Sequence, residues 1–228
     1  MAIKYHYDVE QNTDLWFQAK LGVISASNIN KLVTPTGAVA KNDAARKYAY
    51  SLAAQRVLKR VEDSYQSFDM LRGTIQEAYA RDIYNDNIEE VKECGFITND
   101  NYGFTIGSSP DGLVGLNGGL EIKSRLAKFQ IETILSGEVP KEFVNQCQFF
   151  LLVSGREWID FVSYSTGLPF FVKRVTVDQV RREKIVDAMM LFEETIELAR
   201  IEYLEKSSGM IPTEWIDFNL NDEIEASD

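Results

Sequence analysis

A single histidine, His6, and two cysteines, Cys94 and Cys147, are all that the 228 residues hold of those two types. With no C-x-x-C pair, zinc fingers and four-thiolate iron–sulfur clusters lack ligands, and with one histidine a Ser-His-Asp hydrolase lacks parts. So little cysteine fits a reduced, cytosolic protein whose two thiols are buried and inert. No apolar run reaches the roughly 18 residues a membrane span needs, and the polar start MAIKYHYDVEQ has no signal-peptide core, so a soluble, cytoplasmic chain is expected. Basic excess is missing too. Against 24 Lys and Arg stand 35 Asp and Glu, a net charge of −11, which argues against a uniformly basic nucleic-acid binder. Acids on helical surfaces and in the tail NDEIEASD can still lie far from any site. There is no internal repeat and no low-complexity linker.

The chain is rich in apolar residues, at 45%, with 11% aromatics. That is enough for a sizeable core in one domain, 1–228, of which about 207–228 reads as a C-terminal tail. The tail mixes Trp215, Ile216 and Phe218 with acids, and docking on the body, on a neighbouring subunit or on a partner all remain open.

Thr13-Asp14 predicts the start of a short helix, and Ser27 caps a second one reading NINKLV. Residues 43–60 read as a longer helix. Another is expected over about 68–86, with Leu71, Ile75, Ala78, Tyr79 and Ile83 recurring at spacings of three and four as its apolar face, and with Glu77 inside it. From residue 88 the pattern becomes β-prone: VKECGFIT, FTIGSSPD, GLVGL and GLEIKS are short runs separated by Asn and Gly, and Asn117-Gly118 signals a hairpin turn. A helix near 139–153, strands EWIDFVSYS and FFVKRVTV, and a long helix from Asp178 to about Lys206 complete the order. The expected class is α/β (α+β), a mixed central sheet flanked by helices. Trp158, Phe161, Tyr164, Phe170, Phe171, Met189 and Met190 read as packing residues.

Charge inside the apolar stretch 107–124 carries the functional signal. If Gly119 to Lys123 is a strand, Leu120 and Ile122 share one face while Glu121 and Lys123 share the other. The hairpin then brings Asp111 towards Glu121, with the spacing Asp-x9-Glu-x-Lys. Converging carboxylates repel unless a cation lies between them, and hard oxygen ligands suit Mg²⁺ or Mn²⁺. The Ile122 carbonyl can add a ligand, and Lys123 is placed to orient water or offset charge on a phosphate. The blander reading of such a strand is a solvated sheet face, and Ser-Pro-Asp-Gly alone is an ordinary turn.

This arrangement resembles the PD-(D/E)XK nuclease signature of the restriction-endonuclease-like core, and within it the phage lambda-type alkaline exonucleases, or YqaJ-type viral recombinases. WFQAKLGVISAS at 16–27, RGTIQEAYARDIY at 72–84 and VNQCQFFLLVSGREWIDFVSY at 144–164 carry the narrower likeness, which with SSPDGL and GLEIKS spans about 15 to 164 in the same order as in the family. The resemblance implies that Asp111 and Glu121 bind metal with the Ile122 carbonyl, and that Lys123 is the catalytic lysine. Glu77, in the Gly73 to Glu77 element, would hold metal or its water, and Gln146 would place water or substrate, with Gln148 as the alternative. Two Mg²⁺ ions about 3.5–4 Å apart are implied.

Lys20, Ser27 and Ser109 would surround a DNA 5′-phosphate, Ser27 offering its hydroxyl and free N–H groups at a helix start; an ordinary N-cap is the plainer use. Lys20 stands where the family often has arginine, and loses the bidentate fork. TPTGAVAKND lacks the arginine expected to contact DNA ahead of the cut, for which Lys41 or Arg46 are substitutes. The resemblance implies stepwise 5′-to-3′ digestion of one strand of linear double-stranded DNA, a ring-shaped homotrimer, and a single-strand annealing protein as partner in recombination. The alternatives are an endonuclease on the same core and a non-catalytic DNA-binding module.

Overall fold

The computed structural model describes residues 2–61 and 68–216; the acidic end of the expected tail, 217–228, lies outside them. In chain order the elements are β1 (Ile3–His6), α1 (Asp14–Lys20), β2 (Ile24–Ser25), a 3-10 helix (Ala26–Lys31), α2 (Asp43–Leu58), α3 (Phe68–Asn87), β3 (Val91–Lys92), β4 (Phe96–Asn99), β5 (Ile106–Ser108), β6 (Gly112–Val114), β7 (Gly118–Ser124), α4 (Ala127–Ser136), α5 (Lys141–Ser154), β8 (Trp158–Tyr164), β9 (Phe171–Thr176) and α6 (Gln179–Lys206).

The strands form two sheets, ordered β1-β4-β5-β2 and β3-β6-β7-β8-β9. The larger one is mixed: β7 and β8 run parallel over seven register pairs while its other neighbours are antiparallel. A parallel pair needs a crossover, and α4 and α5 supply it. α5 packs against strands of both sheets, and its run from Cys147 to Ser154 is buried throughout, which is why FFLLV at its centre is apolar on every side. On the other face of the larger sheet, Ala80 and Tyr84 of α3 meet Val114, Leu120, Ile122 and Val162. The larger sheet is thus sandwiched between α3 and α5, giving the α/β architecture of a mixed sheet flanked by helices. Among the described residues no helix is long and apolar enough to cross a membrane. Cys94 and Cys147 are buried and free.

Several expectations are corrected. Leu71, Ile75, Tyr79 and Ile83 do not face the core; they are exposed at 46%, 51%, 62% and 36%, and Ala78 is exposed with them. The inward face is Ala80 and Tyr84, because the Tyr84 hydroxyl finds a buried acceptor in Asp160. Ser27 lies inside the 3-10 helix; Ser25 occupies its N-terminal cap position, without a side-chain cap bond. The polar start forms β1, and α4 separates β7 from α5, neither of which was expected.

The hairpin exists, but its connection is 115–117, with Gly115 at φ +51° taking the left-handed position. Gly118 is already in β7, and it is glycine for another reason: a Cβ there would lie 2.2 Å from the Trp158 ring.

Candidate active site

The hairpin register sets the site. Gly112 pairs with Leu120 and the Asp111 N–H reaches the Leu120 carbonyl at 3.2 Å, so Asp111 stands opposite Glu121. Its Oδ2 accepts the Ile122 N–H at 2.5 Å, which holds the carboxylate against the backbone that would offer the Ile122 carbonyl. Glu121, 3% exposed, is covered by α5. Its Oε1 receives Lys123 Nζ and Gln146 Nε2, each at 2.5 Å. Gln148, the alternative to Gln146, serves the scaffold: it donates to the Thr176 carbonyl and accepts the Asp178 N–H, joining β9 to α6.

Glu77 reaches the same cleft from α3. A cavity of about 540 Å³ has Glu77, Arg81, Cys94, Pro110 and Asp111 in its wall, with residues 7–12 opposite. Glu77 Oε1 accepts Arg81 Nη2 at 2.7 Å, and Arg81 Nη1 reaches Glu93 at 3.2 Å. Arg81 was not singled out from the sequence, although it stands four residues after Glu77, the spacing at which helix neighbours pair.

The electrostatics bind these groups into one unit. Burial, and then repulsion from Glu121 and Glu77, raise the Asp111 carboxyl well above its usual range. Burial also raises Glu77, which Arg81 partly offsets. Lys123 is pulled up by Glu121 and Asp111, which outweigh the opposing effect of its own burial. The ammonium therefore stays charged at neutral pH.

Among the described residues no three Asp, Glu, His or Cys side chains stand grouped as a metal cage, since Glu77 is turned to Arg81. The donor chemistry nonetheless fits a hard divalent cation: mutually repelling carboxylates and a neighbouring carbonyl, all oxygen donors.

The residues read as a phosphate pocket lie on the other side of Pro110. Trp16 Nε1 donates to Ser109 Oγ at 2.8 Å, and Lys20 Nζ sits 3.5 Å above the Trp16 ring, so Lys20 and Ser109 meet through the indole that opens the WFQAKLGVISAS motif. Burial lowers Lys20 to about 8. Ser27 is exposed and 3.4 Å from Ser25 Oγ. A cavity of about 770 Å³ is walled by Trp16, Lys20, Ser25, Asn28, Lys31 and Tyr48; of the three expected pocket residues only Lys20 is in its wall, while Ser27 and Ser109 stand behind it, against Ser25 and Trp16.

The loop after Lys20 is clamped by Arg56, whose Nε and Nη2 donate to the Gly22 carbonyl at 3.0 and 2.8 Å while its Nη atoms hold Glu193 and Glu197 of α6 at 2.6 to 2.8 Å. Lys41 and Arg46 line a different cavity, between α2 and α6.

No curated protein matches the chain. Among solved structures, the alkaline exonuclease LHK-Exo from Laribacter hongkongensis is 34% identical, with a TM-score of 0.75 over 86% of this chain and 98% of its own; a second structure, of LHK-Exo in complex with dAMP, matches with the same values. Residues 15–157 match the model of the YqaJ-like viral recombinase domain, and the chain is a member of that family.

Proposed function

We propose that the protein is a Mg²⁺-dependent 5′-to-3′ exonuclease, with Mn²⁺ as a substitute ion, that digests one strand of linear double-stranded DNA from 5′-phosphorylated ends and leaves 3′ single strands for recombination by annealing. The observation that carries it is the convergence of Asp111, Glu121, Lys123 and Gln146 at one hairpin and one helix. The likeness to an alkaline exonuclease, crystallised with a deoxynucleoside monophosphate of the kind that stepwise hydrolysis releases, supports the same reading.

Asp111, Glu121 and the Ile122 carbonyl would hold one ion, and Glu77, once released from Arg81, would serve a second. Bound there, Mg²⁺ supplies positive charge to a phosphoryl oxygen and makes water more acidic. The chain's own residues do the rest. Lys123, its Nζ fixed by Glu121, donates to the attacking water or to the phosphate oxygen on which charge develops. Gln146 keeps the Glu121 carboxylate in one orientation. Lys20, Ser109 and Ser27 receive the terminal phosphate, which sets the bond that lies at the acids.

A homotrimer around DNA is supported by the exposed stripe Leu71, Ile75 and Tyr79, on the side of α3 away from Ala80 and Tyr84. Such apolar patches mark interaction sites. The setting is the cytoplasm of a bacterial host, from a phage or prophage gene, with a single-strand annealing protein as partner.

The test is digestion of linear duplexes bearing 5′-phosphate or 5′-hydroxyl ends, beside a covalently closed circle, with Mg²⁺ or EDTA. Mononucleotide release from phosphorylated ends that needs metal and is absent in Glu121→Ala and Lys123→Ala is expected. Cutting of the circle would make the protein an endonuclease; binding without cleavage would leave a DNA-binding module.

A further inference from the structure

The ladder between β7 and β8 runs one bond beyond the strand: the Arg125 N–H donates to the Tyr164 carbonyl at 2.7 Å. Extended backbone here places Arg125 on the same side as Lys123 and Glu121, about 7 Å along the strand from Lys123. The two cations share a ring. Lys123 Nζ lies 5.5 Å and the Arg125 guanidinium 5.2 Å from the centre of Phe143, and Phe129 lies 5.1 Å from the guanidinium. The Phe143 ring is itself stacked on Phe161 of the core, so the platform is rigid.

The donors of Arg125 are not used up. Its side chain is only 10% exposed, yet Nη1 is held by Glu142, an acid that is 56% exposed, at 3.1 Å. Nε is buried and has no hydrogen-bond partner among the described residues. The Glu142 carboxylate on this guanidinium is thus largely in solvent and exchangeable, and a guanidinium so held also suits a phosphodiester oxygen.

We infer that Arg125 is a contact for a DNA backbone phosphate, next along the strand from the one at Lys123. The phosphate takes the place of the exposed Glu142 carboxylate at Nη1, and Glu142 swings into solvent. The inference rests on the nuclease reading above and gives the active site a second anchoring point on its substrate.

Fluorescence anisotropy of a labelled 5′-phosphorylated duplex in EDTA, from 50 to 200 mM KCl, tests it. A lost phosphate contact lowers the slope of log K against log salt by about 0.9. Arg125→Ala should show that loss, Arg125→Lys should keep the slope with weaker binding, and Glu142→Gln should tighten binding severalfold at 50 mM. An unchanged slope in folded Arg125→Ala, with normal wild-type binding, overturns the assignment and leaves the nuclease reading standing. If Arg125→Ala does not fold, Glu142→Gln decides: tightening supports the contact, and unchanged or weaker binding refutes it. Absence of DNA binding by the wild type in EDTA refutes the contact alone, since the nuclease reading is decided by cleavage with Mg²⁺.

Discussion

The Tyr84 hydroxyl donates to Asp160 Oδ2 at 2.7 Å, joining a helix and a strand 76 residues apart in sequence. Arg174 forks the same carboxylate with two bonds of 2.9 Å and lies 3.5 Å over Trp158. Tyr84 is about two turns beyond Glu77 on α3, and Gln76 beside Glu77 accepts from Ser124 and donates to Thr166. The helix that carries Glu77 is therefore pinned at both ends of its contact with the sheet. Tyr84→Phe should cost about 1–2 kcal/mol, a fall in Tm of about 2–4 °C per kcal/mol in a chain of this size. Activity should fall in kcat with little change in KM for DNA; a change in KM alone would mean that α3 positions DNA, not Glu77.

Asp111→Asn should abolish cleavage and stabilise the metal-free protein. The folded carboxyl is raised by burial and by Glu121 and Glu77, so at neutral pH its ionised form opposes folding. With a folded value above the unfolded one, the penalty is absent in acid and grows as pH rises from the unfolded carboxyl range through the folded one. Thermal melts in EDTA at pH 8 should therefore show the variant more stable by about 1 kcal/mol, with the gain gone near pH 3.5. Added Mg²⁺ should stabilise the wild type and not the variant.

Lys20 gives the reaction a pH signature. Burial holds it near 8, so above that pH the free enzyme loses the charge proposed to meet a terminal phosphate. Stability moves the other way: between the folded value and the higher unfolded one, rising pH stabilises the fold, because burying the charge is what costs. The ratio of cleavage rates on 5′-phosphate and 5′-hydroxyl ends should fall as pH rises above about 8. Lys20→Arg should keep that ratio flat to pH 9, since guanidinium does not titrate there. A wild-type ratio independent of pH would remove Lys20 from phosphate recognition.

Gly118→Ala tests the close approach at the hairpin. The added Cβ would meet Trp158 at 2.2 Å, and the ring cannot retreat without disturbing Arg174 above it. A loss of about 1–3 kcal/mol is expected, measurable by urea melts. Gly137→Ala, with nothing within 4 Å but φ +65°, should cost less, so the difference isolates crowding from backbone strain.

The hairpin acids were legible because their geometry is local: one turn signal and period-two alternation suffice to face Asp111 with Glu121 and Lys123. Gln146 needed the resemblance, since nothing within α5 distinguishes it from Gln148; only the partner across the fold does. The apolar stripe of α3 was assigned to the wrong side for a related reason. Periodicity finds a face but does not say what the face meets, and the buried side is decided by Tyr84 finding Asp160, a partner on β8. β1 escaped notice because IKYH is too short for its alternation to stand out, and the strand exists through pairing with β4 and packing of Ile3 and Tyr5 on the core. Trp16 with Ser109, and Arg125 with Phe143, are likewise contacts between distant segments, invisible to spacing.

The exposed stripe of α3 and the carboxylate of Glu77 ride on one helix, and a rigid rod cannot move at one place and stay still at another. If a second subunit covers Leu71, Ile75 and Tyr79, the free energy of assembly and the free energy of occupying the cleft become linked quantities, and linkage is reciprocal. Whatever factor assembly adds to the affinity of the acids for their ion, the ion returns to assembly, so dilution and chelation would weaken the protein by the same route.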